Sequence, residues 1–114
     1  MTGLVLIIED DESMANLEKR YLEKDGFMVL VANSGRSGLD ILSNNTSPDL
    51  LIIDYRLPDM SGVDVMRKVR GEFGKSIPSI IVTGGGDENV AVRAMKLGAM
   101  DYIVKDRDTI RHLP

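Results

Sequence analysis

The chain predicts an α/β domain built on a doubly wound five-stranded parallel sheet, and three observations carry that reading. Five short apolar runs recur along it, amphipathic stretches of helical period separate them, and acidic residues close the first and third runs. The runs are Leu4 to Ile8, Phe27 to Val31, Leu50 to Ile53, Ser79 to Val82 and Tyr102 to Val104. Each is too short for a helix and rich in Ile, Val or Leu, which is the pattern of strands buried on both faces. Between the first two runs, Met14, Leu17, Tyr21 and Leu22 recur at helical spacing, with Ser13 or Asp11 as candidate cap and Gly26 as the stop. A weaker helix spans roughly Ser37 to Leu42, followed by a polar loop, Ser43 to Ser47, ahead of Pro48. Val63, Met66, Val69 and Phe73 mark a third helix, and Val90, Ala94, Met95 and Leu97 a fourth that Gly98 ends. The order is β-α-β-α-β-α-β-α-β, with no internal repeat and no low-complexity linker. Right-handed crossovers with helices on both faces then make strand order 2-1-3-4-5, the flavodoxin-like arrangement, the expected one.

Composition sets the outer bounds. At 114 residues the chain has room for one core and one domain. A net charge of −4 and a pI near 4.9, with no basic stripe, exclude nucleic acid as a direct partner. There are no cysteines, so disulfides and thiolate metal sites are excluded and a reducing cytoplasm is the expected setting. The first apolar run lacks a positive flank and leads straight into acids, which fits neither a signal peptide nor a membrane span.

Chemistry concentrates at two strand ends. Asp54 closes the third run, and the first leads into Glu9, Asp10 and Asp11. In a sheet of this order strands one and three are neighbours at the point where the winding reverses, and ligands bind beyond their carboxyl ends. Three or four carboxylates then converge on one edge and repel unless protons or a cation intervene. That is the design of an acidic Mg²⁺ site. Asp11 has a second reading as a helix cap alone.

These residues resemble the receiver domains of two-component response regulators over nearly the whole chain. The motifs are Ile7-Ile8-Glu9-Asp10-Asp11, then Leu51-Ile52-Ile53-Asp54-Tyr55-Arg56-Leu57-Pro58 with Gly62, then Ile80-Ile81-Val82-Thr83, then Gly98-Ala99-Met100-Asp101-Tyr102 and Lys105. The resemblance implies that Asp54 accepts a phosphoryl group from a histidine kinase, a phosphotransfer protein or a small donor such as acetyl phosphate. It implies Mg²⁺ held by Asp10 and Asp54, by Glu9 through water, and by the backbone carbonyl of Arg56. Thr83 and Lys105 would each take a phosphoryl oxygen, and the three carboxylates, the cation and Lys105 sum to zero charge. Movement of Thr83 would let Tyr102 turn inward and remodel the face of helix four and strand five, which controls an output domain or effector. A homodimer is one assembly such a face allows. The chain would catalyse nothing beyond its own phosphorylation and dephosphorylation. The lone His112 lies away from the acids and is not assigned a role.

Two departures from the family pattern stand out. Gly84, Gly85 and Gly86 follow Thr83 in succession, which predicts a loop costly to order and a changed phosphoryl lifetime. Asp106 follows Lys105 where receivers usually carry proline, so the peptide is expected to be trans if Lys105 approaches by another path. The tail from Asp106 to Pro114 is short for a full fifth helix, so residues 1–114 are expected to be the receiver portion of a longer protein, with that helix cut off. Three rivals remain. A haloacid-dehalogenase-like phosphatase needs an Asp two residues after its nucleophile, where Arg56 stands. A flavin-binding flavodoxin-like protein would set four acids against a phosphate. The third is a pseudo-receiver that docks partners without phosphorylation.

Overall fold

The computed structural model describes residues 3–44, 46–72, 74, 76–84, 88–96, 98 and 101–104. The strands are β1 (Leu4–Ile8), β2 (Met28–Ala32), β3 (Leu50–Asp54), β4 (Ser79–Thr83) and β5 (Asp101–Val104). The helices are α1 (Glu12–Lys24), α2 (Gly35–Ser43), α3 (Gly62–Gly71) and α4 (Glu88–Lys96). All five strands pair in parallel in the order β2-β1-β3-β4-β5, as the alternation predicts. Phe73, Gly85, Gly86, Leu97, Ala99 and Met100 lie outside the described residues, as do Lys105, Asp106, His112 and the tail expected to be the truncated fifth helix.

The central strands carry apolar side chains on both faces because helices cover both. Leu6, Ile8, Leu51, Ile53 and Ile81 point toward α2 and α3, where Leu39, Leu42, Val63, Met66 and Val69 meet them. Val5, Ile7, Ile52 and Val82 point the other way, with Leu22, Leu17 and Tyr21 of α1. This double burial gives near-continuous apolar runs instead of alternation. It also makes β1 and β3, each buried along four of five residues, a close-packed base on which a site could be mounted.

Strand β2 departs from the buried pattern and from its predicted start. It is an edge strand, so Met28 is 64 % exposed, and Leu30 and Val31 are exposed as well. Phe27, expected to open the strand, instead completes the stop of α1. Gly26 has φ of 94°. Its N–H donates to the Glu23 carbonyl at 3.0 Å, and the Phe27 N–H donates to the Leu22 carbonyl at 3.1 Å. Those two bonds form a Schellman motif, with Phe27 and Leu22 packed in the same cluster as its apolar clasp. Pairing with β1 therefore begins at Met28, opposite Leu4.

Helix starts follow side-chain caps. Asp11, not Ser13, caps α1, its Oδ1 accepting from the Met14 N–H at 3.1 Å. Ser34 and Ser61 cap α2 and α3, so α2 begins two residues before its predicted start at Ser37. Gly62 opens α3 against the end of β3, where a Cβ would stand 2.6 Å from the Asp54 carbonyl oxygen. Gly71, at the other end of α3, has open space around its Cα. Gly62→Ala is therefore expected to cost about 1–3 kcal/mol through overpacking against backbone. Gly71→Ala is expected to gain about 0.5 kcal/mol through helix propensity. Urea unfolding of the two variants checks this, and equal midpoints would contradict it.

Candidate functional site

Parallel register builds the site. Ile8 lies opposite Ile53 in neighbouring strands, so the residues that follow, Glu9 and Asp54, leave the sheet side by side. Glu9 is 2 % exposed and Asp54 is 5 % exposed, while Asp10 reaches solvent. Carboxylate oxygens of Glu9, Asp10 and Asp54 all lie within 4.8 Å of one another. Backbone contacts orient them. The Asp11 N–H donates to Glu9 Oε2 at 3.2 Å, and the Arg56 N–H approaches Asp54 Oδ1 at 3.4 Å. The ladder continues past the acids, with Glu9 N–H donating to the Ala32 carbonyl at 2.9 Å and Tyr55 N–H to the Val82 carbonyl at 2.8 Å.

Three carboxylates at this spacing, two of them nearly buried, are a hard oxygen donor set suited to a small divalent cation that keeps some of its water. The fit is chemical as well as spatial, because a divalent charge removes most of the repulsion among them. The cluster reaches solvent through Asp10, which with Glu9 borders a cleft that Asp54 does not line. That cleft, of about 620 Å³ between α1, β2 and α2, is lined by Glu9, Asp10, Asn16, Asn33, Ser37 and Asp40, among others.

Of the residues singled out in the sequence, Glu9, Asp10 and Asp54 come together, and Asp11 turns away to cap α1. Thr83 ends β4, buried, one residue beyond the partner of Asp54, because Asp54 is in register with Val82. Arg56 follows Asp54 by two residues, its side chain exposed and its backbone folded back toward the nucleophile candidate. Tyr102 lies in β5 with its backbone opposite Ile81. Lys105 and the Lys105–Asp106 peptide lie outside the described residues, and of the Gly84 to Gly86 run only Gly84 lies within them.

One residue near the site escaped the sequence reading. Asp59, in the loop between β3 and α3, accepts from the Gly35 N–H at 2.9 Å and the Arg36 N–H at 2.8 Å, at the start of α2. Its partners are more than twenty positions away, so no local spacing signals them.

The geometry defines a class: an acidic, cation-ready carboxylate cluster at the switch point of a doubly wound sheet. The family model described as the response regulator receiver domain matches residues 5–113, and the chain belongs to that family, a receiver domain of the two-component phosphorelay systems. It is 38 % identical over 113 residues to the methanogenesis regulatory protein of Methanothrix harundinacea, covering 96 % of this chain and 25 % of that protein. It is 35 % identical over 112 residues to the transcriptional regulatory protein CpxR of Escherichia coli, covering 96 % of this chain and 47 % of that one. Among solved structures, a receiver domain protein from Clostridium thermocellum superposes with a TM-score of 0.85 at 35 % identity, covering 96 % of this chain and 88 % of that one. The chain thus spans between a quarter and a half of the length of these curated relatives. Among the described residues no helix is long and apolar enough to cross a membrane.

Asp59 carries a pH consequence. The Arg36 N–H, more than any other group, holds its carboxyl below the ordinary 3.8, with burial opposing and the Gly35 N–H assisting. A depressed folded-state value adds stability that is present in full above the unfolded-state value and disappears as pH falls through the folded one. Asp59→Ala is expected to lose about 1 kcal/mol at neutral pH, screened because the pair is open to solvent, and to lose less than the wild type on acidification below about pH 4. Denaturant midpoints measured from pH 7 to pH 3 check this, and parallel curves would contradict it.

Proposed function

We propose that the domain accepts a phosphoryl group on Asp54 from the phosphohistidine of a sensor kinase or phosphotransfer protein, in a Mg²⁺-dependent step. The observation that carries this reading is the convergence of Glu9, Asp10 and Asp54 within 4.8 Å at the ends of β1 and β3. An Asp54 carboxylate oxygen attacks phosphorus in line. The new O–P bond forms an acyl phosphate as the N–P bond breaks, and the electron pair returns to the donor imidazole. Asp10 and Asp54, with Glu9 through water and the Arg56 carbonyl, would hold the cation. When bound it supplies neutralisation of the carboxylate and phosphoryl charge, without which a dianionic group would not approach three acids. The Thr83 hydroxyl and the Lys105 ammonium donate to the remaining phosphoryl oxygens.

Each role follows from what the side chain can do. Asp54, at the last position of a buried strand, is paired with Val82 of β4 and follows Ile53, which is paired with Ile8 of β1, and this limits the entropy lost on reaching an in-line arrangement. The Thr83 hydroxyl, one residue past the strand partner of Asp54, would shift toward a group on Asp54 and donate to it. That shift is the mechanical start of a switch in which Tyr102 turns inward and the surface of α4 and β5 changes. Phosphorylation then selects between conformations separated by a few kcal/mol, enough to change which output domain or effector is bound. The same chemistry makes the domain a substrate that assists its own modification, and hydrolysis of the acyl phosphate resets it.

Intact-mass measurement after incubation with acetyl phosphate tests this, with and without Mg²⁺ and alongside Asp54→Ala. The expected result is one phosphoryl adduct on the wild type, dependent on Mg²⁺ and absent from Asp54→Ala. Thr83→Ala is expected to slow its formation by about tenfold or more, as loss of one oxyanion donor does elsewhere. No adduct, together with no response to beryllofluoride, would overturn the proposal in favour of docking without phosphorylation.

A further inference from the structure

The loop that leaves Asp54 is closed at its base and fastened at its tip. At the base, the Gly62 N–H donates to the Tyr55 carbonyl at 2.8 Å and Arg56 bridges Ser61 in antiparallel fashion. The missing side chain of Gly62 lets α3 press against the Asp54 backbone. At the tip, the two Asp59 carboxylate oxygens each take one amide of α2, from Gly35 and Arg36. Met60 lies across Gly35 so closely that a Cβ there would stand 2.5 Å from Met60 Cγ. Ser34 Oγ takes the next amide, that of Ser37, at 3.1 Å.

The first three amides of α2 are therefore all engaged, two of them by a residue brought from another loop. A helix N-terminus attracts an anion. Here the anion comes from the segment that also carries Arg56. A backbone carbonyl cannot be re-aimed by changing rotamer, so a cation that demands near-ideal octahedral geometry requires the whole loop to be held in place. The base contacts fix where the loop begins and ends. The Asp59 clamp and the Met60–Gly35 contact fix its far side.

We infer that Asp59, with Met60 seated on Gly35, is a positioning residue for the metal site: it anchors the Arg56 backbone to α2, and so couples the start of α2 to occupancy of the site. This rests on the Mg²⁺ reading above. Coupling is reciprocal, so if the clamp favours the cation, the cation must tighten the clamp by the same factor. A cap that served only α2 would show neither effect.

The test uses ¹⁵N-labelled wild type, Asp59→Ala and Asp59→Asn, the last retaining one acceptor oxygen should the alanine variant not fold. Mg²⁺ affinity is read by amide-shift titration, and hydrogen exchange at Gly35 and Arg36 is read with and without Mg²⁺. Asp59→Ala is expected to weaken Mg²⁺ binding by about tenfold, with Asp59→Asn intermediate. In the wild type, saturating Mg²⁺ is expected to slow exchange at both amides by a similar factor. Affinities equal to wild type within about twofold in the folded variants would overturn the inference, and so would exchange at Gly35 and Arg36 indifferent to Mg²⁺. Failure of the wild type to bind Mg²⁺ would show in the first titration and would overturn the underlying reading with it.

Discussion

The constraint on which the candidate site depends is the crowding of three carboxylates that the sheet forces together. Parallel pairing of Ile8 with Ile53 leaves Glu9 and Asp54 no choice of neighbour, and Asp10 completes a group spanning no more than 4.8 Å. Like charges at that distance oppose folding by on the order of 1 kcal/mol per pair in water and more where solvent is excluded. Glu9 and Asp54 are both nearly buried, which moves them toward the costlier end. The fold can hold them because the strands beneath are its most deeply packed part, with Leu6, Ile7, Ile8, Leu51, Ile52 and Ile53 almost wholly removed from water. On the proposed reading, a cation that relieves the repulsion would meet a preformed cluster, and its binding energy would not be spent on assembling ligands.

The same economy explains the surroundings of Asp54. A rigid strand end followed by a fully flexible loop would leave the Arg56 carbonyl, proposed above as a ligand, ill-defined. The loop is instead pinched at Gly62 and tied to α2 through Asp59, so two elements distant in sequence share one geometry. Elements on the outside of the sheet bury less of their apolar surface. Strand β2 exposes Met28 and Leu30 at the sheet edge, and Val92 and Met95 of α4 are exposed as well. The most deeply buried strands thus lie beneath the acidic cluster.

The architecture was legible because its signals are local or periodic. Strands buried on both faces read as unbroken apolar runs, and an acid at the end of such a run is conspicuous whether or not the partner strand is known. Glu9, Asp10 and Asp54 could be named for that reason, whereas the role given to Thr83 came with the family resemblance. Legibility failed where the deciding contact was long-range or specific to a turn. Phe27 reads as a strand residue by composition, but the left-handed Gly26 makes it the clasp of a helix stop. The run from Phe27 to Val31 reads as a strand buried on both faces, yet edge position depends on strand order and not on the residues themselves. Helix α2 looked weak from Ser37 because its reinforcement, Asp59, belongs to another loop. Asp11 carried two readings until the direction of its side chain toward the Met14 amide decided for the cap.

The central claim, that crowding of carboxylates is the constraint and a cation its relief, is tested most directly by unfolding the wild type and Asp10→Asn in denaturant with and without Mg²⁺. Asp10 is the exposed member of the cluster, so replacing it removes charge without opening a cavity. The expected result is that Asp10→Asn is the more stable of the two in the absence of Mg²⁺, by about 1 kcal/mol. Added Mg²⁺ should then stabilise the wild type far more than the variant and reverse the order. A variant less stable than wild type without metal, and a wild type indifferent to Mg²⁺, would contradict it.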